Sequence, residues 1–153
     1  MNQIPKCTLV PTRFFDEKDP RCFLSELMPL NDDEAVEAVQ IPEYDAVLVY
    51  VRNSEDTPEM YSTLKDLSKC SEYNRIVAGI KDGFLYLAIA QGNSLLLCNA
   101  FPASDFQTAE YFIFSSVKSL QLNPEVSTIC FRSPLSQDEE LSLYRYFNLV
   151  ERI

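Results

Sequence analysis

An α/β fold built on a mixed sheet follows from three features of the amino-acid sequence. Apolar runs rich in β-formers lie in succession at 75–80, 84–90 and 94–101, parted by the turn signals Lys81-Asp82-Gly83 and Gly92-Asn93, the pattern of an antiparallel meander. A long apolar helix then leads to Val126-Ser127-Thr128-Ile129-Cys130-Phe131, and a strand reached by a helical crossover lies parallel to its partner, which makes the sheet mixed. Finally, 153 residues at 46% hydrophobic and 24% charged supply enough apolar surface for a core without disulfides or metals to staple it.

Taken in order, Cys7-Thr8-Leu9-Val10 is a strand ended by Pro11. Thr12 to Met28 is helical in pieces, split by Pro20 and closed by Pro29. The acids Asp16, Glu17 and Asp19 read as solvated helix-end charge rather than as a metal cluster, since carboxylates near a helix N-terminus suit its dipole. Asn31-Asp32-Asp33-Glu34 offers oxygen donors but not the glycine that a calcium loop needs, so it reads as a polar turn. Val36, Val39 and Ile41 fit a strand or a short helix equally. Asp45 to Val51 is a nearly continuous β-branched run, as in a strand covered on both faces.

Thr57-Pro58 opens a helix, a capping residue followed by proline at the first helical position, with Tyr61, Leu64 and Leu67 or Ser68 on its apolar face. After the meander, Ser104 and Gln107 have capping-box spacing, and Phe106, Ala109, Ile113, Val117 and Leu120 share one helical face. Tyr111, Phe112 and Phe114 come in addition and place large apolar groups almost all round this helix. It must therefore be covered on more than one side, by its own chain or by a protein partner, and these three residues are the candidate interface. Asn123-Pro124 ends the helix; Ser136 and Glu139 cap a last one that carries Leu141, Tyr144 and Phe147 or Asn148.

The chemistry is defined mainly by exclusion. No histidine is present, which removes the commonest general base and metal ligand, and the five cysteines are widely spaced with no C-x-x-C pair. They read as small core hydrophobes in a reducing compartment, hence an expected cytoplasmic location. Gly79, Gly83 and Gly92 never cluster, so no phosphate-cradling loop is formed. A net charge of −10 without a basic run opposes nucleic-acid binding. The N-terminal stretch lacks the apolar core of a signal peptide, and Phe84 to Phe101 is broken by Gln91-Gly92-Asn93, so no membrane insertion is expected. No catalytic residue, metal ligand or cofactor is assigned.

Three strands, a helix, a strand and a helix resemble the front of a ribonuclease H-like unit. A two-metal nuclease needs converging carboxylates, whereas the strand centres Val77-Ala78, Leu87-Ala88 and Leu96-Leu97 are apolar and Asp45, Asp82 and Asp105 stand at element ends. An ATPase of the actin type should carry an acid and a glycine at the end of its first strand. Placed at Ala88-Ile89-Ala90-Gln91-Gly92, that hairpin keeps the glycine and lacks the acid.

The phrases Thr8-Leu9-Val10-Pro11 with Phe14-Phe15, Cys98-Asn99-Ala100-Phe101, and Tyr111-Phe112 with Leu120-Gln121-Leu122 extend the likeness. In them the chain resembles an uncharacterised family of Bacteroidetes proteins, domain of unknown function 3822, with an actin-like ATPase fold. The resemblance implies two ribonuclease H-like lobes, a partial first lobe over 1–70 and a second over 71–153, which could also pack as a single domain. Because family members are longer at the N-terminus, the chain is expected either to be a truncated form or to have an incomplete first lobe whose edge is covered, for instance by a second copy. The expected function is that of a non-catalytic actin-like module, not an enzyme, acting through protein–protein contacts or self-association. The alternative is a nucleotide-binding actin-like ATPase.

Overall fold

β-Branched and alternating runs become strands wherever a neighbour can pair with them, and the computed structural model, which describes residues 7–27, 29–30, 32–51, 59–70 and 72–152, shows two sheets. The chain divides into two compact units, the change falling between Tyr61 and Ser62.

In the first unit, β1 (Cys7–Pro11), β2 (Val36–Ile41) and β3 (Ala46–Val51) form a sheet in the order β1-β3-β2. Both pairings are antiparallel, Cys7 opposite Tyr50 and Val36 opposite Val51. The central place of β3 explains its unbroken apolar run, with Val47, Leu48 and Val49 all buried. Residues 36–41, ambiguous by periodicity, are a strand because β3 supplies the ladder they pair with. Between β2 and β3 the chain turns through Pro42–Tyr44 and Asp45, whose φ of 52° is one that aspartate tolerates better than most residues. The helix α1 (Pro20–Ser25) starts on Pro20 and buries Leu24 in a cluster with Val10, Val47 and Val49, while Phe15 and Phe23 stack at 5.6 Å. Met28, Asn31 and the Thr57-Pro58 cap lie outside the described residues.

The second unit takes up α2 (Glu59–Lys69) from Ser62 onward. Then come β4 (Asn74–Lys81), β5 (Phe84–Gln91), β6 (Ser94–Pro102), α3 (Phe106–Ser119), β7 (Thr128–Phe131), α4 (Gln137–Tyr144) and β8 (Leu149–Arg152). The sheet order is β6-β5-β4-β7-β8: the meander is antiparallel, and β7 and β8 add on in parallel. The expected α/β mixed sheet is therefore present, and β8 adds to it one strand that the sequence pattern did not reveal.

Turn chemistry fixes the register of the meander. Asp82 and Gly83 both adopt positive φ, 53° and 83°, which matches the twist of the strands they join. Gly92, at φ 60°, also leaves room for Tyr73, whose ring would stand 3.0 Å from a Cβ there. One face of the sheet, represented by Ile76, Leu87, Ile129 and Phe131, packs with Ala109, Ile113 and Val117 of α3 and with Leu143 and Phe147.

Two helix ends differ from expectation. The N-cap of α3 is Asp105, whose carboxylate accepts from the Thr108 N–H at 2.7 Å, rather than Ser104 with Gln107. A charged acceptor facing the positive end of the helix outcompetes a hydroxyl one residue earlier. The same helix stops at Ser119, before Asn123-Pro124. It closes with Gln121 N–H donating to the Lys118 carbonyl and Leu122 N–H to that of Val117, and Gln121, at φ 57°, fills the place usually held by glycine. The Ser136–Glu139 capping box of α4 forms as expected. Among the described residues no helix is long and apolar enough to cross a membrane.

Candidate functional site

In open α/β sheets ligands bind beyond the carboxyl ends of parallel strands, where the chain leaves two neighbours in opposite directions. In the second unit that point lies between β4, which turns back into β5, and β7, which leads to β8. Because β4 is the first strand of this sheet, the hairpin at the end of the first strand is Ile80-Lys81-Asp82-Gly83. It does contain an acid and a glycine. Placing the hairpin at Ala88-Ile89-Ala90-Gln91-Gly92 put it one strand too late; there, Gln91 Nε2 instead donates to Asn74 Oδ1 at 2.8 Å and ties the end of β5 to the start of β4.

The chain's own side chains occupy the carboxyl ends of β4 and β7. Ser133 Oγ accepts from the Ile80 N–H at 3.1 Å, and the Arg132 N–H donates to the Ala78 carbonyl at 2.8 Å. Gly79 permits this approach, since a Cβ there would stand 3.1 Å from the Cβ of Arg132. The Arg132 guanidinium, a group suited to phosphate, is bound through Nε to Asp66 Oδ2 at 2.6 Å, with Thr63 Oγ1 at 3.4 Å from Nη1. Both charged side chains are largely sheltered, 20% and 25% exposed.

The three aromatics singled out from sequence do not form one patch. On α3, Ile113 points into the core, and at 100° per residue Phe112 and Phe114 fall on its two flanks while Tyr111 falls on the far side. Phe112 stacks on Phe101 at 4.7 Å. Phe114 meets Tyr146 edge-on at 4.5 Å and stacks on Phe147 at 5.6 Å. Tyr111 touches Phe112 at 5.5 Å and is 67% exposed.

A second polar site lies between the end of α2 and the edge of the sheet. Cys70, just past α2, and Cys130, in β7, bring their sulfurs to 3.3 Å beside a cavity of about 180 Å3 lined by Asp66, Lys69, Cys70, Glu72, Thr128, Cys130 and Glu151. Cys130 Sγ also donates toward Glu151 Oε2 at 3.7 Å, its register partner on β8. Contact with Cys130 is the strongest influence on Cys70 and holds its thiol below the ordinary range. Burial and Glu151 oppose this, Arg75 supports it, and Asp66 opposes it. Cys130 is pushed up, first by the same contact and then by burial, with Glu151 adding to it. Sequence reasoning missed this pair because the two residues are 60 positions apart. The signal available was strand alternation, which puts Cys130 on the face opposite Ile129 and Phe131. Among the described residues no group of histidine, cysteine, aspartate or glutamate is arranged to hold a metal ion.

Similarity to known proteins places this architecture. The chain is similar to a Bacteroides thetaiotaomicron protein of unknown function with an actin-like ATPase fold, known from a crystal structure, with a TM-score of 0.74 and 17% identity. The match covers 97% of this chain and 65% of that one, so the chain spans about two thirds of that protein's length. At this identity the likeness shows the fold alone. No curated protein matches. A family model described as Protein of unknown function (DUF3822) matches residues 57–150, more than half of the chain, and the chain belongs to that family.

Proposed function

We propose that this chain is a non-catalytic, cytoplasmic module of actin-like fold that acts through protein–protein contacts. The observation that carries the reading is the Asp66–Arg132 ion pair at 2.6 Å. It neutralises the cation beside the carboxyl end of β7, while Ser133 takes the N–H of Ile80. A phosphate approaching these strand ends would have to displace a carboxylate from a bidentate-capable guanidinium and find replacement donors for it. Tyr111 supports the contact role: it is a large amphipathic ring, exposed on the outer side of α3 and backed by Phe112. With Phe112 and Phe114 packed within the chain, Tyr111 is the member of the trio that meets a partner, and the other two hold α3 in place behind it.

The acid and glycine of Asp82-Gly83 favour the second reading, a nucleotide-binding actin-like ATPase. Calorimetric titration of the full chain with ATP and Mg²⁺ separates the two. The non-catalytic reading expects no binding heat up to millimolar nucleotide. Micromolar binding that Asp82→Asn weakens would overturn it in favour of the ATPase.

A further inference from the structure

We propose that Cys70 and Cys130 are a reversible thiol–disulfide pair, closed by a hydroperoxide that enters the small cavity beside them. The pair is already in contact, 3.3 Å between sulfurs, against a bond of about 2.05 Å. The two ends of that contact differ in freedom. Cys130 is buried in β7, which is paired on both sides by β4 and β8. Cys70 follows the last turn of α2, where its N–H donates to the Leu67 carbonyl and its thiol lies 3.5 Å from the Asp66 carbonyl. A shift of about 1.3 Å by Cys70 makes the bond without disturbing the ladder.

Access and reactivity point the same way. Cys70 is only half buried and lines the cavity of about 180 Å3, room for a molecule the size of hydrogen peroxide, for which one water's share of liquid volume, about 30 Å3, is the scale. The contact with Cys130 favours a thiolate at Cys70, with the Arg75 guanidinium, held by the Leu67 and Glu72 carbonyls, on the same side of the balance. Cys130 stays protonated next to Glu151. Cys7, by contrast, is pushed up to about 11 by burial and is poorly suited to start such a reaction.

The chemistry balances in two steps. The Cys70 thiolate attacks one peroxide oxygen: an S–O bond forms, the O–O bond breaks, and hydroxide leaves, to be protonated to water. Cys130 then attacks the sulfenic sulfur of Cys70, an S–S bond forms, and the S–O bond breaks. The departing hydroxide takes up the Cys130 proton, and Glu151 is placed to relay it. Two thiols and one peroxide become one disulfide and two waters, the two electrons passing from sulfur to oxygen. The bond ties the end of α2 to β7, the strand next to the edge of the second sheet, and opens again with a dithiol reductant.

The test treats the reduced full chain with hydrogen peroxide and maps cysteine linkages by non-reducing peptide mass spectrometry. The expected result is a Cys70–Cys130 linkage that dithiothreitol reverses and that raises the thermal unfolding midpoint. Cys130→Ser should leave Cys70 halted as a sulfenic acid captured by a dimedone-type reagent, Cys70→Ser should abolish both products, and Cys98→Ser should leave the linkage intact. Peroxide treatment of native wild type that leaves both thiols free, links either to a different cysteine, or takes Cys70 to sulfinic acid without a disulfide would overturn the proposal. Because the wild-type map is decisive alone, a variant that fails to fold does not protect the idea.

Discussion

Replacing Asp66 by asparagine removes the charge that holds Arg132 while keeping the side chain's shape. The two side chains are 20% and 25% exposed and their atoms meet at 2.6 Å. The pair therefore sits between surface ion pairs, worth about 0.5 kcal/mol, and buried ones whose breakage costs about 3–5 kcal/mol. A loss of about 2 kcal/mol follows for Asp66→Asn, and since asparagine still offers an oxygen to Nε, a coupling of about 1–2 kcal/mol should appear in a double-mutant cycle with Arg132→Met. The second Asp66 contact, to Lys69 at 3.9 Å, adds little because the lysine is 77% exposed. In a unit of this size the single change should lower the unfolding midpoint by roughly 8–16 °C. Urea unfolding of the four proteins gives the cycle, and inorganic phosphate gives a second readout, stabilising Asp66→Asn more than wild type once Arg132 is released from its carboxylate. A coupling below about 0.3 kcal/mol, together with equal stabilisation of both proteins by phosphate, would refute the view that this pair closes the strand ends to anions.

Two further outcomes test the placement of α3. Phe112→Ala and Phe114→Ala should each cost about 2 kcal/mol in urea unfolding, roughly half the penalty of a fully buried ring, whereas Tyr111→Ser should stay within about 0.5 kcal/mol while weakening any self-association seen by sedimentation. Equal destabilisation by all three would contradict the orientation of the helix. At the cap, the Thr108 N–H bond holds the Asp105 carboxyl below its ordinary range, so its contribution is present above the unfolded-state pKa and is lost as pH falls through the folded one. The midpoint gap between wild type and Asp105→Ala should accordingly be open at pH 7 and shrink below about pH 4; a gap independent of pH would point to a cap that does not use the carboxylate.

Local pattern carried most of the elements. The β-branched run at 46–51, the alternation and turns of the meander, and the 3.6-residue stripe through Ala109, Ile113 and Val117 each became the element expected of them. What escaped depended on partners distant in sequence. β8 is four residues long with Glu151 and Arg152 at its end, and its strand character comes from lying beside β7. The first-strand hairpin lies at Asp82-Gly83, after β4, although Gly92-Asn93 is the stronger turn signal; the order of the strands along the chain was already enough to place it. Phe112 and Phe114 looked surplus because their covers, Phe101 and the pair Tyr146 and Phe147, come from other segments. The Cys70–Cys130 contact left no spacing signature at all.

The mixed sheet also sets a timetable for its own assembly. β4, β5 and β6 are joined by two-residue loops, so their pairing closes short contours and belongs to the microsecond range of hairpins. The parallel pairing of Arg75 with Thr128 must close about 50 residues of chain, α3 included, before it returns any stabilisation. The meander and α3 are thus the natural early structure, and β7 docks late. Cys130 is buried in that late strand, so its disappearance from a thiol reagent during refolding is a clock for the docking of β7.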